Sequence, residues 1–178
     1  MDQGTKEWLE FRHKRIGSSD APVIMGASPW KTIDQLLIEK SKKAPPKSKM
    51  SEAMERGHLL EPVARAYYEL HSAIDFVPTV LLDKELDFLM GSFDGHNEYL
   101  KIDLEIKCPN REDHRIAVNG SVPEKYFWQC QHLLMVSRSE RLDYFSFDGT
   151  RGVVVHVYPD TEAIRHLREQ EILFWKRL

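Results

Sequence analysis

A strict alternation of apolar and polar residues between Leu100 and Lys107 constrains the fold of this chain more than any other feature. Successive side chains of a β-strand point to opposite faces, so the pattern predicts a strand with one apolar face toward the core. Glu105 and Lys107 then project side by side from the other face. The same pattern is typical of an ordinary strand with one solvated face, and this segment alone does not decide between the two. The apolar face consists of Leu100, Ile102, Leu104 and Ile106.

A second acidic residue precedes this strand in the segment from Gly91 to Gly95. The segment predicts a strand that ends in a glycine-flanked turn, at the distance a hairpin needs to bring Asp94 beside Glu105. Two carboxylates that close repel each other, so such a pair is tolerated chiefly when a divalent cation binds between them. We therefore predict a metal site formed by Asp94 and Glu105, with the ammonium of Lys107 next to it.

The ligand types indicate which metal would bind. The chain has only two cysteines, Cys108 and Cys130, which cannot supply a disulfide framework or a four-cysteine zinc or iron–sulfur site. We expect both to be small buried fillers. Because the ligands are hard oxygens, Mg²⁺ is expected, with Mn²⁺ as a substitute. A cation beside Lys107 is suited to phosphodiester hydrolysis, because it polarises the phosphoryl group while the lysine positions or helps to deprotonate the attacking water.

The remaining patterns predict an α/β (α+β) fold, with a central mixed sheet flanked by helices in one domain over 1–178. A proline at position 62 predicts a kink or a new helix start near Glu61, and Ser121 with Glu124 predicts a capping box. An N-cap is predicted at 18–20, before a short apolar run. The predicted strands are 75–82, 86–93, 99–107, 142–147 and 152–158. The predicted helices are 5–15, one opened by Thr32 and Gln35, 51–71, 122–136 and one from Thr161 to the C-terminus.

Charge and hydropathy limit the classes of function. A net charge of −3 argues against a protein that binds nucleic acid through overall positive charge. Lys40, Lys42, Lys43, Lys47 and Lys49 form a basic run, for which a solvated loop is the favoured interpretation. Neither a signal pattern nor an apolar run of membrane-spanning length is present in the sequence. We expect a cytoplasmic protein without a membrane partner.

Four ordered motifs resemble those of a known nuclease family. Ser92-Phe93-Asp94-Gly95 followed by Leu104-Glu105-Ile106-Lys107-Cys108-Pro109 resembles the PD-(D/E)XK nuclease motif, with phenylalanine in place of its proline. More narrowly, it is similar to the phage exonucleases that include lambda exonuclease and the YqaJ-type viral recombinases. The three further matches are Trp8 with Arg12 and Ile16–Ala21, then Arg56–Glu61, then Tyr126–Gln131.

The resemblance implies a restriction-endonuclease-like core and a Mg²⁺-dependent exodeoxyribonuclease. Such an enzyme resects the 5′-ended strand of linear duplex DNA in a bacterial host, releases 5′-phosphomononucleotides and leaves 3′ single strands for recombination. It implies two metals held by Asp94, Glu105, the carbonyl of Ile106 and, directly or through water, Glu61. A solvated helix charge is the alternative for Glu61. The family also implies a homotrimer that threads DNA and a single-strand annealing protein as partner.

Two further sets of residues are implied by the same resemblance. Arg12, Ser19 and Ser92 correspond to residues that hold the terminal 5′-phosphate, although Ser19 is equally well explained as a helix cap. Gln131 corresponds to a residue that orients the water or the active-site lysine. It shares a helix face with Phe127 and Leu134, whereas Gln129 is rotated by roughly 200° and is the second choice.

Three other functions remain open. One is an endonuclease of the same fold, of the restriction or junction-resolving type. A Cas4-like nuclease is disfavoured because two cysteines cannot ligate an iron–sulfur cluster. The third is a DNA-binding or adaptor module that keeps the fold without the chemistry, against which the intact set of Asp94, Glu105 and Lys107 argues.

Overall fold

Helices and strands occupy most of the chain in this computed structural model, which describes residues 2–46 and 51–178. The helices are α1 (Lys6–His13), α2 (Ala21–Ile24), α3 (Ile33–Lys40), α4 (Glu52–Ser72), α5 (Arg111–Val118), α6 (Glu124–Ser137) and α7 (Thr161–Trp175). The strands are β1 (Ile16–Gly17), β2 (Val77–Leu82), β3 (Leu89–Asn97), β4 (Ile102–Lys107), β5 (Arg141–Phe147) and β6 (Gly152–Val157).

The six strands form one mixed sheet in the order β1-β3-β4-β5-β6, and β2 pairs with β3. β1 runs parallel to β3, β2 and β4 run antiparallel to β3, β5 runs parallel to β4, and β6 runs antiparallel to β5. The predicted mixed sheet flanked by helices is therefore confirmed.

β3 pairs with three strands, and the stretch between its pairing with β1 and its pairing with β4 positions the site. Its first residues pair with β1 at Leu89 and Met90. Its last residues pair with β4 from Gly95 onward, with Gly95 opposite Leu104. Its register with β2 shifts by one residue between Val77 and Thr79, which is the mark of a bulge. Bulges re-aim side chains and are common next to active sites.

Helices cover both faces of the central strand β4. Leu104 and Ile106 belong to an apolar cluster with Ala64 and Tyr68 of α4. The larger apolar cluster contains residues of α2, α6 and α7. On the other face of β4, Asp103 and Glu105 are also buried, which rules out the alternative of an ordinary strand with one solvated face.

Several predicted boundaries are corrected by the structure. Leu100 is not a core residue, because β4 begins at Ile102 and Leu100 is 46% exposed in the preceding turn. Asp94 lies within β3 and not in a turn, since β3 continues to Asn97. α4 runs through Pro62 without a new start near Glu61.

The predicted capping residues are confirmed for two helices and wrong for a third. Thr5 caps α1, and Thr32 with Gln35 forms the predicted capping box of α3. No side chain caps α6 at Pro123, so the box predicted from Ser121 and Glu124 is wrong. The short elements β1 and α5 were not predicted. In the part of the chain that the structure describes, no helix combines the length and apolarity needed to cross a membrane.

Candidate active site

Asp94 of β3 forms a hydrogen bond to β4 just beyond the last backbone pair of these two strands. Its Oδ2 accepts a hydrogen bond of 2.7 Å from the backbone amide of Ile106. The β3–β4 register, extended by one step beyond Gly95 and Leu104, places Asp94 opposite Glu105. In a regular antiparallel ladder a backbone carbonyl would accept the hydrogen bond of such an amide. Here the carboxylate of Asp94 accepts it from Ile106. The sequence-predicted proximity of Asp94 and Glu105 is therefore present, with Asp94 held from within a strand.

Glu105 is the most heavily engaged carboxylate of this group. It is only 3% exposed, and its Oε1 accepts hydrogen bonds from the ammonium of Lys107 and from Nε2 of Gln129, the latter at 2.6 Å. Lys107 follows two residues later on the same strand, so period-two geometry places the two side chains together. Gln129 comes from α6, which covers this face of β4. Burying a carboxylate is costly without such charge-assisted partners.

The closeness of Asp94, Glu105 and Lys107, called the cluster below, shifts the pKa of two of them. Burial, the negative charge of Glu105 and, more weakly, that of Glu61 raise the pKa of Asp94 to about 8, against the opposing effects of Lys107 and the Ile106 amide. Burial alone would lower the pKa of Lys107, but the carboxylates of Glu105 and Asp94 raise it above its usual value. The ammonium is therefore the counter-ion of this carboxylate pair.

Glu61 lies on α4 at the margin of the cluster. Its side chain is 41% exposed, and its Oε1 lies 3.7 Å from Nη2 of Arg65. Its negative charge contributes to the raised pKa of Asp94 and to that of Cys108. Glu61 is thus partly solvated, in line with the alternative of a solvated helix charge. It is also close enough for its charge to act on Asp94.

The donor types of this cluster fit a hard dication. In residues 2–46 and 51–178, no three His, Cys, Asp or Glu side chains are close enough together to enclose an ion. The acidic side chains and the carbonyl of Ile106 nevertheless offer only oxygen atoms, which are the ligands that Mg²⁺, Mn²⁺ and Ca²⁺ prefer.

The prediction that Gln131 faces the site is wrong. Its Nε2 donates to the carbonyl of Tyr158 at 3.1 Å, and its Oε1 accepts from the amide of Asp160 at 2.9 Å. Both contacts anchor α6 to the segment that precedes α7. Gln129, the second choice, is the glutamine that reaches the carboxylates.

The residues assigned to a terminal phosphate lie in two contacting pairs. A guanidinium nitrogen of Arg12 donates to Oγ of Ser19, and Nε1 of Trp8 donates to Oγ of Ser92 at 3.0 Å. The guanidinium of Arg12 lies 5.2 Å from the ring centre of Trp8, which links the pairs. Ser92 is two residues before Asp94, so β3 connects this group to the carboxylates. α1, the turn before α2, and β3 thus bring together all three predicted residues.

Asp20 is the N-cap residue of α2, but its side chain makes no capping hydrogen bond. Its Oδ2 accepts from the amide of Gly17 at 2.9 Å and lies 2.8 Å from Nζ of Lys40. Burial alone would raise the pKa of Asp20, but Lys40 and Arg12 hold it below its usual value. The N-cap predicted at 18–20 therefore falls at Asp20, but the carboxylate contacts Gly17 and Lys40 and not the amides of α2.

The predicted solvated loop of lysines is only partly correct. Lys40 is a buried structural residue whose side chain is 5% exposed. Lys42 and Lys43 are exposed. Lys47 and Lys49 lie outside the described residues.

Tyr126 lies at the site, although the sequence motif that contains it did not identify it as a site residue. Nζ of Lys107 lies 5.4 Å from the centre of its ring. Its position at the start of α6, one turn before Gln129 and Cys130, is the signal that could have identified it. The prediction that both cysteines are buried is confirmed for Cys130 and wrong for Cys108, which is only partly buried. Burial raises the pKa of Cys108 to about 11 and raises that of Cys130 as well.

Sequence comparison assigns the chain to a family. The model of the YqaJ-like viral recombinase domain matches residues 7–140. The uncharacterized protein YqaJ of Bacillus subtilis (strain 168) is 32% identical over 174 residues, covering 95% of this chain and 54% of that protein. The chain therefore spans about half the length of this curated relative.

Solved structures share the fold. The alkaline exonuclease LHK-Exo from Laribacter hongkongensis matches with a TM-score of 0.81 and 20% identity, covering 97% of this chain and 91% of that one. A phage related exonuclease from Haemophilus somnus 129PT matches with a TM-score of 0.69 and 15% identity, covering 92% of each chain. At these identities the likeness establishes the fold alone.

Proposed function

Because this chain belongs to the YqaJ-like viral recombinase domain family, we propose that it is a Mg²⁺-dependent 5′→3′ exodeoxyribonuclease acting on linear double-stranded DNA. It resects the 5′-ended strand, releases 5′-phosphomononucleotides and leaves a 3′ single strand for phage-type recombination. Mn²⁺ substitutes for Mg²⁺, because both ions prefer oxygen ligands.

The observation that carries this proposal is the meeting of Asp94, Glu105 and Lys107 where β3 and β4 separate. A buried acidic side chain whose pKa is raised by a second carboxylate, beside a positively charged lysine, is a costly arrangement for a protein that only needs to fold. The raised pKa of Asp94 reflects that cost. Perturbed carboxylates of this kind are typical of functional sites.

Each side chain has a role in this mechanism. Asp94, Glu105, the carbonyl of Ile106 and Glu61 would hold the metal. Bound Mg²⁺ supplies charge stabilisation for the phosphoryl oxygens and the leaving oxygen. Lys107 stays protonated at neutral pH, because its pKa is raised, and therefore orients the attacking water instead of taking its proton.

Gln129 takes the positioning role that was predicted for Gln131. Its amide donates to Glu105 Oε1, the same oxygen that Lys107 contacts. A ligand carboxylate that is held by a fixed donor keeps its remaining oxygen in one direction, which favours a single metal geometry. We therefore assign Gln129 to the orientation of Glu105.

The group of Arg12, Ser19 and Ser92 supports a preference for 5′-ended strands. An arginine and two hydroxyls are suitable ligands for a phosphate dianion. In this proposal the terminal phosphate replaces the internal contacts of Arg12 with Ser19 and of Trp8 with Ser92. The DNA end is then fixed relative to the carboxylates by β3.

One assay tests the proposal. Linear duplex DNA, with and without a 5′-phosphate, and covalently closed plasmid are incubated with the protein in Mg²⁺ or in chelator. We expect 5′-mononucleotides from the linear substrate in Mg²⁺, faster release from the phosphorylated end, and an intact closed circle. Cleavage of the circle would instead indicate an endonuclease, and DNA binding without product in any metal would indicate a binding module.

Assembly and partners are part of the same proposal and are supported by the family alone. We expect a homotrimer around the DNA and transfer of the 3′ strand to a single-strand annealing protein. Sedimentation analysis of the isolated chain tests the first expectation, since a monomer at micromolar concentration would contradict it. Co-sedimentation with an annealing protein from the same source tests the second.

A further inference from the structure

An exposed tryptophan lies beside the candidate active site and is not used by the proposed mechanism. Trp30 is 65% exposed in the segment between α2 and α3. Its ring centre lies 6.1 Å from that of Tyr126, at an interplanar angle of 38°. Nζ of Lys125 lies 5.2 Å from the ring centre of Trp30 and 5.5 Å from that of Tyr126. The two rings and the ammonium form one contiguous surface.

This surface leads directly to the carboxylates. Tyr126 is half-buried, and its ring centre lies 5.4 Å from Nζ of Lys107. Lys107 in turn contacts Glu105. A line of contacts therefore runs from Trp30 at the surface, through Tyr126, to the group assigned to the reacting phosphate.

The ammonium in this surface is fixed in place. Nζ of Lys125 lies 2.6 Å from Oδ2 of Asp113, whose residue is 6% exposed at the start of α5. The side chain of Lys125 is 22% exposed. A buried carboxylate thus holds a cation between two aromatic faces, at a distance typical of cation–π contacts.

A single exposed aromatic ring is common and needs no explanation by itself. Trp30 differs because it adjoins the ring of Tyr126 and the ammonium of Lys125. Tyr126 in turn adjoins Lys107 of the candidate active site. Proteins that bind single-stranded nucleic acid combine aromatic stacking faces with positive charge along the backbone. Stacking of this kind tolerates every base, since each base has a π-face.

We propose that Trp30 is a stacking platform for a nucleobase of the DNA end held in the site, with Lys125 contacting a phosphate of the same strand. This inference rests on the proposed nuclease function and adds a base-binding element to it. The platform holds an unpaired base next to the carboxylates without reading its identity.

The test is equilibrium binding of a short duplex with a 5′-phosphate, in chelator so that no hydrolysis occurs. Stacking is worth about 1–3 kcal/mol per base, so Trp30→Ala should weaken binding by about 5- to 150-fold. Trp30→Phe should stay within about threefold of the wild type because it keeps an aromatic face. 2-Aminopurine near the 5′ end should be quenched by the wild type and not by Trp30→Ala.

The matched control is Tyr99→Ala, which removes an aromatic ring that is 94% exposed in the turn between β3 and β4. It should bind as the wild type does. A duplex lacking bases at its terminal nucleotides should also bind equally to wild type and Trp30→Ala. Equal affinity of Trp30→Ala and wild type for the intact duplex would overturn the inference. So would equal losses in the Tyr99→Ala and Trp30→Ala variants.

Different results contradict the stacking platform and the nuclease function. If the wild type degrades linear DNA in Mg²⁺ while Trp30→Ala binds the end normally, only the stacking platform is wrong. If the wild type releases no nucleotide from any DNA, the proposed nuclease function is wrong and the platform is overturned with it.

Discussion

The carboxylate of Asp94 accepts a hydrogen bond of 2.7 Å from the backbone amide of Ile106, across the point where β3 and β4 part. This contact fixes the first acidic residue against the strand that carries the second. A carboxylate tied to a neutral amide keeps its other oxygen available, whereas a carboxylate tied to arginine would be neutralised.

Asp94→Asn should abolish nucleotide release and make the metal-free protein more stable at alkaline pH. The pKa of Asp94 is raised from 3.8 to about 8, so its contribution to stability is fully present below about pH 3.8 and is lost as the pH rises through about 8. After allowance for solvent screening, we expect a gain of about 1–2 kcal/mol for the variant at pH 9, or about 3–6 °C in melting temperature. Thermal melts in chelator at pH 5 and pH 9 check it. A variant that is less stable than wild type at pH 9 would contradict the assignment.

Binding of the divalent ion should tighten as the pH rises toward 8. The ion competes with the proton on Asp94, whose pKa is about 8, so affinity should increase by about tenfold per pH unit below that value. It should level off above it. Calorimetric titration of the wild type with Mg²⁺ and with Mn²⁺ between pH 6 and 9 measures this slope. A flat profile would show that Asp94 is ionised before the metal arrives.

Gln129 and Gln131 form a natural pair of test and control. Gln129→Ala removes a donor to Glu105 and should lower kcat by about 10- to 100-fold, as expected for a residue that orients a metal ligand. Gln131→Ala removes buried contacts with Tyr158 and Asp160 and should destabilise the fold by about 1–3 kcal/mol. Its kcat below the melting transition should stay near the wild-type value. Steady-state kinetics and melting curves on both variants separate the roles, and the reverse pattern would restore the original choice of Gln131.

Arg12→Ala should remove the advantage of a 5′-phosphorylated end. The guanidinium is the charged donor of the proposed phosphate group, next to Ser19, and its loss leaves the hydroxyl alone. We expect the rate on phosphorylated ends to fall to that on hydroxyl ends, while the hydroxyl-ended rate changes by less than about threefold. Lys6→Ala on the exposed face of the same helix is the control. An undiminished preference in Arg12→Ala would place the phosphate elsewhere.

The strand β4, which carries Glu105 and Lys107, was predictable because its pattern lies within a few consecutive residues. A period of two between Leu104 and Lys107 specifies which side chains share a face, and the short spacing to Asp94 specifies a hairpin. The boundaries were less certain, because β3 extends through Gly95 to Asn97 and Leu100 falls in the turn. The burial of Glu105 depends on α6, which is distant in sequence.

The correct glutamine could not be chosen from helical phase. All residues from Gln129 to Val136 are buried, so α6 has no polar face from which its orientation can be read. The short helix α5 could have been predicted, because Asn110 is its N-cap and acidic residues stand in its first turn. The place of Trp30 was not predictable, because it depends on a contact with Tyr126, almost a hundred positions away.

The most direct test of the central claim is nucleotide release from linear, 5′-phosphorylated duplex DNA in Mg²⁺ by the wild type and by Lys107→Ala, with duplex affinity measured in parallel. If Asp94, Glu105 and Lys107 form the hydrolytic site, the variant should lose at least about 10²-fold in rate while its affinity changes by less than about threefold. A variant that releases mononucleotides at the wild-type rate would contradict the account.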